Sequence, residues 1–151
     1  MLKLRTMVTA FIFHEGKVLF MKRAQDRKLM PGGWAPIGGH VEPEELNDPQ
    51  RACIREIWEE TGLILEDISS LKLRYIMHRR REDEIRIQYV FFGESQKAEV
   101  NSNEEGELYW LKPEEILDME TSATTRFLLS EYLQRTPDEN DILIGAVSNF
   151  N

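Results

Sequence analysis

The stretch that decides the fold runs from Gly38 to Leu63: GGHVEPEELNDPQRACIREIWEETGL. Its second half predicts a helix. Asp48 is a good N-cap, Pro49 suits the first helical position, and Gly62 stands where a left-handed stop belongs. Measured around that helix from Ala52, Glu59, Glu56 and Glu60 fall at about 340°, 40° and 80°. Cys53, Ile57, Ile54 and Trp58 occupy the arc from about 100° to 240°, an apolar stripe expected to pack on a core. One face is therefore acidic and another apolar.

A solvated acidic face would explain three glutamates on many helices. Two energetic points count against it here. Like charges three and four residues apart repel by a few tenths of a kcal/mol, and no lysines stand beside them to offset this. Glu59 and Glu60 also occupy the last turn, where the helix dipole disfavours anions by about 0.3–1 kcal/mol. An arrangement that is unfavourable alone and favourable around a cation points to a divalent ion with oxygen ligands, Mg²⁺ or Mn²⁺. Before the helix, Gly38-Gly39 leaves backbone open for close approach, with carbonyls for a metal and amides for a phosphate.

Outward from this core, Met7 to Phe13 and Lys17 to Lys22 read as β-strands joined by a hairpin at His14-Glu15-Gly16. Arg23 to Lys28 is polar and leads into the glycine-rich segment Pro31 to Gly39. Leu71 to His78 and Ile85 to Phe92 read as a second hairpin across the charged turn Arg79 to Glu84. Glu107 to Leu111 is a short strand, and Pro113-Glu114-Glu115 opens a short helix. Thr124 to Arg135 spaces Phe127, Leu128 and Tyr132 as a packing helix, and Ile142 to Val147 reads as a last edge strand. Strands interleaved with helices imply an α/β fold with a mixed sheet, in a single domain over residues 1–151.

The chain carries 27 acidic residues against 19 basic ones, a net charge of −8. That balance argues against a nucleic-acid polymer as partner, which needs a basic face. It leaves room for a small phosphorylated ligand, because a bound dication reverses the local sign. Residues 42–60 alone account for five of the eight excess charges. The single cysteine, Cys53, rules out a disulfide framework within the chain and fits a reducing compartment, so a cytoplasmic protein is expected. The apolar run Met7–Phe13 is too short to span a bilayer, no cleavage pattern follows it, and neither a membrane anchor nor a signal peptide is expected. No interface signature sets the oligomeric state, which stays open to a homodimer.

The quoted stretch resembles the signature of the Nudix hydrolases, G-x5-E-x7-R-E-U-x-E-E-x-G-U with U aliphatic. Arg55, Glu56, Ile57, Glu59, Glu60, Gly62 and Leu63 match its second half, and Gly39 and Glu45 its first. Nine residues separate Glu45 from Arg55 where the pattern has seven, and Glu44 stands where many members have glycine. The order of elements also resembles the family's α/β/α sandwich.

The resemblance implies metal-dependent hydrolysis of a nucleoside diphosphate linked to another group. Glu56, Glu59 and Glu60 would be ligands, joined by the Gly38 carbonyl, and Arg55 would orient a neighbouring carboxylate. Relatives draw their general base from the helix or from a later loop, and Glu104 and Glu105 are the loop candidates here. Arg23, Gly39 and Trp34 are candidate substrate-binding residues. Arg23, Arg27 and Lys28, or Arg79 to Arg81, could contact phosphates or could be solvated surface. Trp34 or Trp110 could stack on a base or pack at the core's rim. His14, His40 and His78 lack zinc-like spacing, and Cys53 falls on the apolar side as a core residue.

Small size resembles the mutator-type members, which cleave nucleoside triphosphates, oxidised guanine nucleotides among them, and release pyrophosphate. Cleavage of ADP-ribose or a nucleotide sugar is the alternative within the family. A nucleotide sensor without turnover and a structural protein with an acidic helix are the alternatives outside it.

Overall fold

The computed structural model describes residues 1–28, 31–134 and 140–147. Strand β1 spans Lys3–His14, β2 Lys17–Arg23 and β3 Trp34–His40; helix α1 spans Pro49–Thr61; β4 covers Ile68–Arg81 and β5 Glu84–Ser95. The remainder comprises β6 (Gly106–Leu111), α2 (Pro113–Ile116), α3 (Ala123–Gln134) and β7 (Leu143–Val147). These strands form one mixed sheet in the order β6-β2-β3-β1-β5-β4-β7, with β1 parallel to β5 and β4 parallel to β7.

β1 explains the layering. Val8, Ala10 and Ile12 pack on one side with Ala52, Cys53 and Ile57 of α1. Phe11 and Phe13, pointing the other way, pack with Ile116, Leu128 and Leu129 of α2 and α3. A strand covered on both faces reads as a continuous apolar run instead of an alternating one, as Met7–Phe13 does. The result is the expected α/β/α sandwich with a mixed sheet. Each fully buried aliphatic side chain in these layers contributes about 1.5–3 kcal/mol.

Three expectations need correction. The second hairpin does not turn over Arg79–Glu84: Arg79 pairs with Arg86, Arg80 with Ile85 and Arg81 with Glu84, and the turn shrinks to Glu82-Asp83. The three arginines can be strand residues because their long stems lie along the sheet while their heads reach polar surroundings. Trp58 is 58% exposed and does not belong to the core face of α1. That face is narrower, closed instead by Thr61, whose hydroxyl donates to the Ile57 carbonyl at 2.6 Å and so can be buried. Phe127, 50% exposed, likewise points away from the α3 core, which uses Thr124, Thr125, Leu128 and Leu129. Tyr132 does pack, 5.1 Å from the ring of Phe13 and 5.4 Å from that of Phe92. Arg135, the last residue expected in this helix, lies outside the described residues.

Candidate active site

α1 begins and ends where its caps dictate. The Asp48 carboxylate accepts from the Arg51 amide at 3.2 Å, Pro49 opens the helix, and Gly62 closes it at φ 82° with its amide on the Trp58 carbonyl. This fixes the register that puts Glu56, Glu59 and Glu60 on one cleft of about 670 Å³.

Arg55 organises the acidic face. Its Nε and Nη2 donate to the two oxygens of Glu45 at 2.8 and 2.9 Å. Nη1 donates to Glu56 at 3.0 Å and Glu59 at 3.1 Å, and Nη2 also donates to the His40 carbonyl at 2.9 Å. A guanidinium has five N–H groups, and all five are used. Glu45 is only 3% exposed and takes a further bond from the Glu42 amide at 3.0 Å. The Arg55 guanidinium holds its carboxyl below the usual range, and the carboxylates in turn raise the Arg55 pKa. The two extra residues between Glu45 and Arg55 do not separate the pair. Glu45 sits on a short 3₁₀ turn, Pro43–Glu45, from which it still reaches the arginine.

Gly39 lies against Glu56. A Cβ there would stand 2.4 Å from the Glu56 Oε1, so glycine is what allows the glutamate to lie over β3. Gly38 turns its amide toward Glu60, donating to that carboxylate. Burial, followed by the neighbouring Glu56 and Glu105, pushes the Glu60 carboxyl up to about 8. Burial also raises the pKa of Glu56, with Arg55 opposing.

The loop after residue 100 completes the cleft. The Asn103 side chain donates to the Glu60 carbonyl at 2.8 Å, and the Asn101 amide donates to the Thr61 carbonyl at 2.9 Å, docking the loop on the last turn of α1. Asn103 Oδ1 then accepts from the Glu105 amide at 2.8 Å. Glu105 stands close enough to raise the pKa of both Glu56 and Glu60, while Glu104 is exposed at the cleft's rim. Arg23 and Arg27 supply positive charge at this end, with Arg27 3.5 Å from Glu105.

As they stand, no three acidic, histidine or cysteine side chains among the described residues converge tightly enough to hold a metal ion, because Glu56 and Glu59 are turned onto Arg55. The donor chemistry nonetheless fits a hard dication. The cleft supplies carboxylate oxygens without soft ligands, and Glu60 sits in an excess of negative charge that a cation would relieve. Arg55, which holds two of the glutamates by one nitrogen, keeps them poised beside the third.

The family model of the NUDIX domain matches residues 3–130. The chain belongs to the Nudix family. It is 36% identical over 131 residues to nucleoside triphosphatase NudI of Escherichia coli, covering 81% of this chain and 92% of that one. Among solved structures it resembles the MutT protein of Methanosarcina mazei, with a TM-score of 0.75 and 27% identity over 91% of this chain and 98% of that one. A Nudix hydrolase of Nitrosomonas europaea gives a TM-score of 0.76 at 17% identity, covering 99% of this chain and 81% of that one, a likeness of fold. As a Nudix-type pyrophosphohydrolase the chain acts on phosphoric anhydrides.

Of the residues singled out in the sequence, Gly38, Gly39, Arg55, Glu56, Glu59, Glu60 and Glu105 come together, with Glu104 and Arg23 at the rim. Trp34 lies on the other side of β3, edge-on to Tyr109 at 5.5 Å. Trp110 packs against the α1-side core and donates its indole N–H to the Ala98 carbonyl at 2.8 Å, a structural position. Cys53 is buried, and burial pushes its thiol up to about 12, as an inert core residue requires. His14 donates from Nδ1 to the Ser95 carbonyl at 2.9 Å, and His40 serves through its backbone. No helix among the described residues is long and apolar enough to cross a membrane. Asn103 escaped notice in the sequence. Its signal was the Asn-x-Glu spacing of a side chain capping a turn two residues on.

Proposed function

We propose that the chain hydrolyses a nucleoside triphosphate to the monophosphate and pyrophosphate, with Mg²⁺ or Mn²⁺ held by Glu56, Glu59, Glu60 and the Gly38 carbonyl. The observation that carries this reading is the cleft into which Glu56, Glu59, Glu60 and Glu105 converge, where burial, and then Glu56 and Glu105, push the Glu60 carboxyl up. The name of the E. coli relative, a nucleoside triphosphatase, supports the substrate class.

A dication held by Glu56, Glu59, Glu60 and the Gly38 carbonyl would supply charge neutralisation for the phosphate oxygens and polarisation of the phosphorus. Arg55, fastened to buried Glu45, aims Glu56 and Glu59 and limits how far they can swing. Arg23 and Arg27 draw the polyphosphate to the cleft. Glu105 takes a proton from the attacking water as the new P–O bond forms. The anhydride P–O bond breaks, and its electron pair leaves with pyrophosphate. Gly39 keeps the approach to Glu56 open. The reaction needs the one domain and a small substrate, no nucleic-acid polymer, and the buried thiol of Cys53 suits the reducing cytoplasm.

The test is a panel of nucleoside triphosphates, oxidised guanine nucleotides, ADP-ribose and nucleotide sugars with Mg²⁺ or Mn²⁺ and identification of products. Pyrophosphate release is expected, and Glu59→Gln should lower kcat about a hundredfold or more. AMP and a sugar phosphate, with no pyrophosphate from any triphosphate, would transfer the chain to the nucleotide-sugar reading. Binding without turnover by the unmodified chain would make it a sensor.

A further inference from the structure

The last carbonyls of a helix need partners from outside it. At the end of α1 the Gly62 amide takes the Trp58 carbonyl at 2.9 Å. The carbonyls of Glu60 and Thr61 are met by the segment that precedes β6. Asn103 Nδ2 donates to Glu60 at 2.8 Å, and the Asn101 amide donates to Thr61 at 2.9 Å. Asn101 also packs on Gly62 itself, where a Cβ would stand 2.6 Å from its Nδ2.

Asn103-Glu104-Glu105-Gly106 then makes a tight turn. Asn103 and Gly106 close it with two backbone bonds of 3.2 Å each, and asparagine first with glycine fourth is a common signature of such turns. The Asn103 side chain enters the turn too, its Oδ1 accepting from the Glu105 amide at 2.8 Å. On the far side Gly106 pairs with Arg23 of β2, and the Glu105 carbonyl accepts from the Ala24 amide at 3.0 Å. Glu105 thus stands on backbone held from both sides, with Arg27 3.5 Å from its carboxylate. Asn103 alone spans the gap by side chain. Its amide nitrogen is spent on the helix that carries Glu56, Glu59 and Glu60, and its amide oxygen on the backbone of Glu105.

We propose that Asn103 is a positioning residue for hydrolysis: it locks the turn bearing Glu105 to the last turn of α1, and so fixes the general base relative to the three helix glutamates. The inference rests on the reading of Glu105 as the base. The chemistry asks for an asparagine, which donates and accepts from one rigid group. Aspartate would set a second acceptor against the Glu60 carbonyl. Serine can accept from the amide two residues on but is too short to span to the helix as well. A base must stand within about 3 Å of the water it deprotonates, so a shift of about an ångström at the turn is felt in kcat before it is felt in binding.

The experiment screens ATP, GTP, CTP, UTP and their deoxy counterparts with Mg²⁺, then measures kcat and KM on the best of them. The unmodified chain is compared with Asn103→Ala, Asn103→Ser, Glu105→Gln and the double variant of Asn103→Ala with Glu105→Gln. Asn103→Ala is expected to lower kcat about tenfold or more, with KM within about threefold of the unmodified value. Glu105→Gln should lower kcat about a hundredfold, and adding Asn103→Ala to it should cost no more than about a further twofold. Poor folding would lower the rate by the same factor in both backgrounds, so the double variant separates it from positioning. Asn103→Ser keeps the turn bond, guards against collapse of the loop, and should lose kcat as Asn103→Ala does. An equal loss in both backgrounds, or unmodified kcat in either Asn103 variant, would overturn the proposal and leave Glu105 as the base. Unmodified kcat in Glu105→Gln would remove the base and this inference together. Pyrophosphate from none of the nucleotides would overturn the triphosphate reading and the inference with it.

Discussion

Glu45 and Arg55 show what one ion pair does for the site. Both oxygens of Glu45 are engaged by the guanidinium, and the side chain is nearly closed to water. Replacing Glu45 with alanine leaves buried donors of Arg55 unmet, and should cost about 3–5 kcal/mol in denaturant unfolding. The pH dependence follows from the direction of the shift. The folded carboxyl is held below its ordinary value, so its contribution is complete above that ordinary value and is lost as pH falls through the lower, folded one. The stability gap between the unmodified chain and Glu45→Gln, measured in chelator, should therefore shrink in acid below about pH 4. A gap that widens in acid would contradict the ion pair. At this scale the sequence was informative for Glu56, Glu59 and Glu60, because helical spacing groups them, and for Arg55 through the resemblance of its motif. It was silent on how Glu45 reaches Arg55, since the return depends on a 3₁₀ turn whose residues carry no periodic signal.

Among the elements, β3 gives the sharpest contrast, between two adjacent glycines with different duties. A Cβ on Gly38 would lie 2.3 Å from the Val8 carbonyl oxygen, backbone that is locked into β1. A Cβ on Gly39 would meet the mobile end of the Glu56 side chain. Gly38→Ala is accordingly expected to destabilise the fold, seen as a lowered melting temperature. Gly39→Ala should melt close to the unmodified chain and lose about a hundredfold in kcat/KM as Glu56 is displaced. Loss of stability in Gly39→Ala with normal specific activity in the folded fraction would refute this division. Helix α1 was legible to within its caps, because Asp48, Pro49 and Gly62 act locally. The exposure of Trp58 and Phe127 was not, because how wide a helix face becomes core is set by the sheet beneath it. The same holds for the second hairpin, where ladder pairing overrode the polar character of Arg79 to Arg81.

The whole molecule separates its charges by face. Acids gather on the α1 side, where Glu56, Glu59, Glu60, Glu104 and Glu105 share one cleft, while arginines line a cavity across the sheet. Without metal the acidic cleft is a liability. Glu60's carboxyl is raised, so its protonated form is favoured by folding, and its destabilising effect grows as pH rises from the ordinary carboxyl value toward about 8. Glu60→Gln should thus melt higher than the unmodified chain in chelator at pH 8. Adding Mg²⁺ or Mn²⁺ should raise the melting temperature of the unmodified chain with metal concentration, the stabilisation reaching about 2.7 kcal/mol at a hundred times Kd, and do far less for Glu60→Gln. Equal metal response in both would remove Glu60 from the metal site. This separation could not be read from the net charge of −8, which averages the two faces. The acidic half announced itself in the excess carried by residues 42–60, while Arg79 to Arg81 stood out only as a charged cluster with no face assigned.

The parallel pairing of β1 with β5 sets when the molecule can form at all. Lys3 lies beside Glu84 and Phe13 beside Glu94, so the central strand finds its neighbour only after some eighty intervening residues have been made. Closing a loop of that length is paid in chain entropy before any contact is gained, which slows folding relative to a helical protein of equal size. On the ribosome, the first half of the chain, glutamate helix included, has no completed sheet to lean on. The glutamate face therefore becomes a fixed surface only after β5 has emerged.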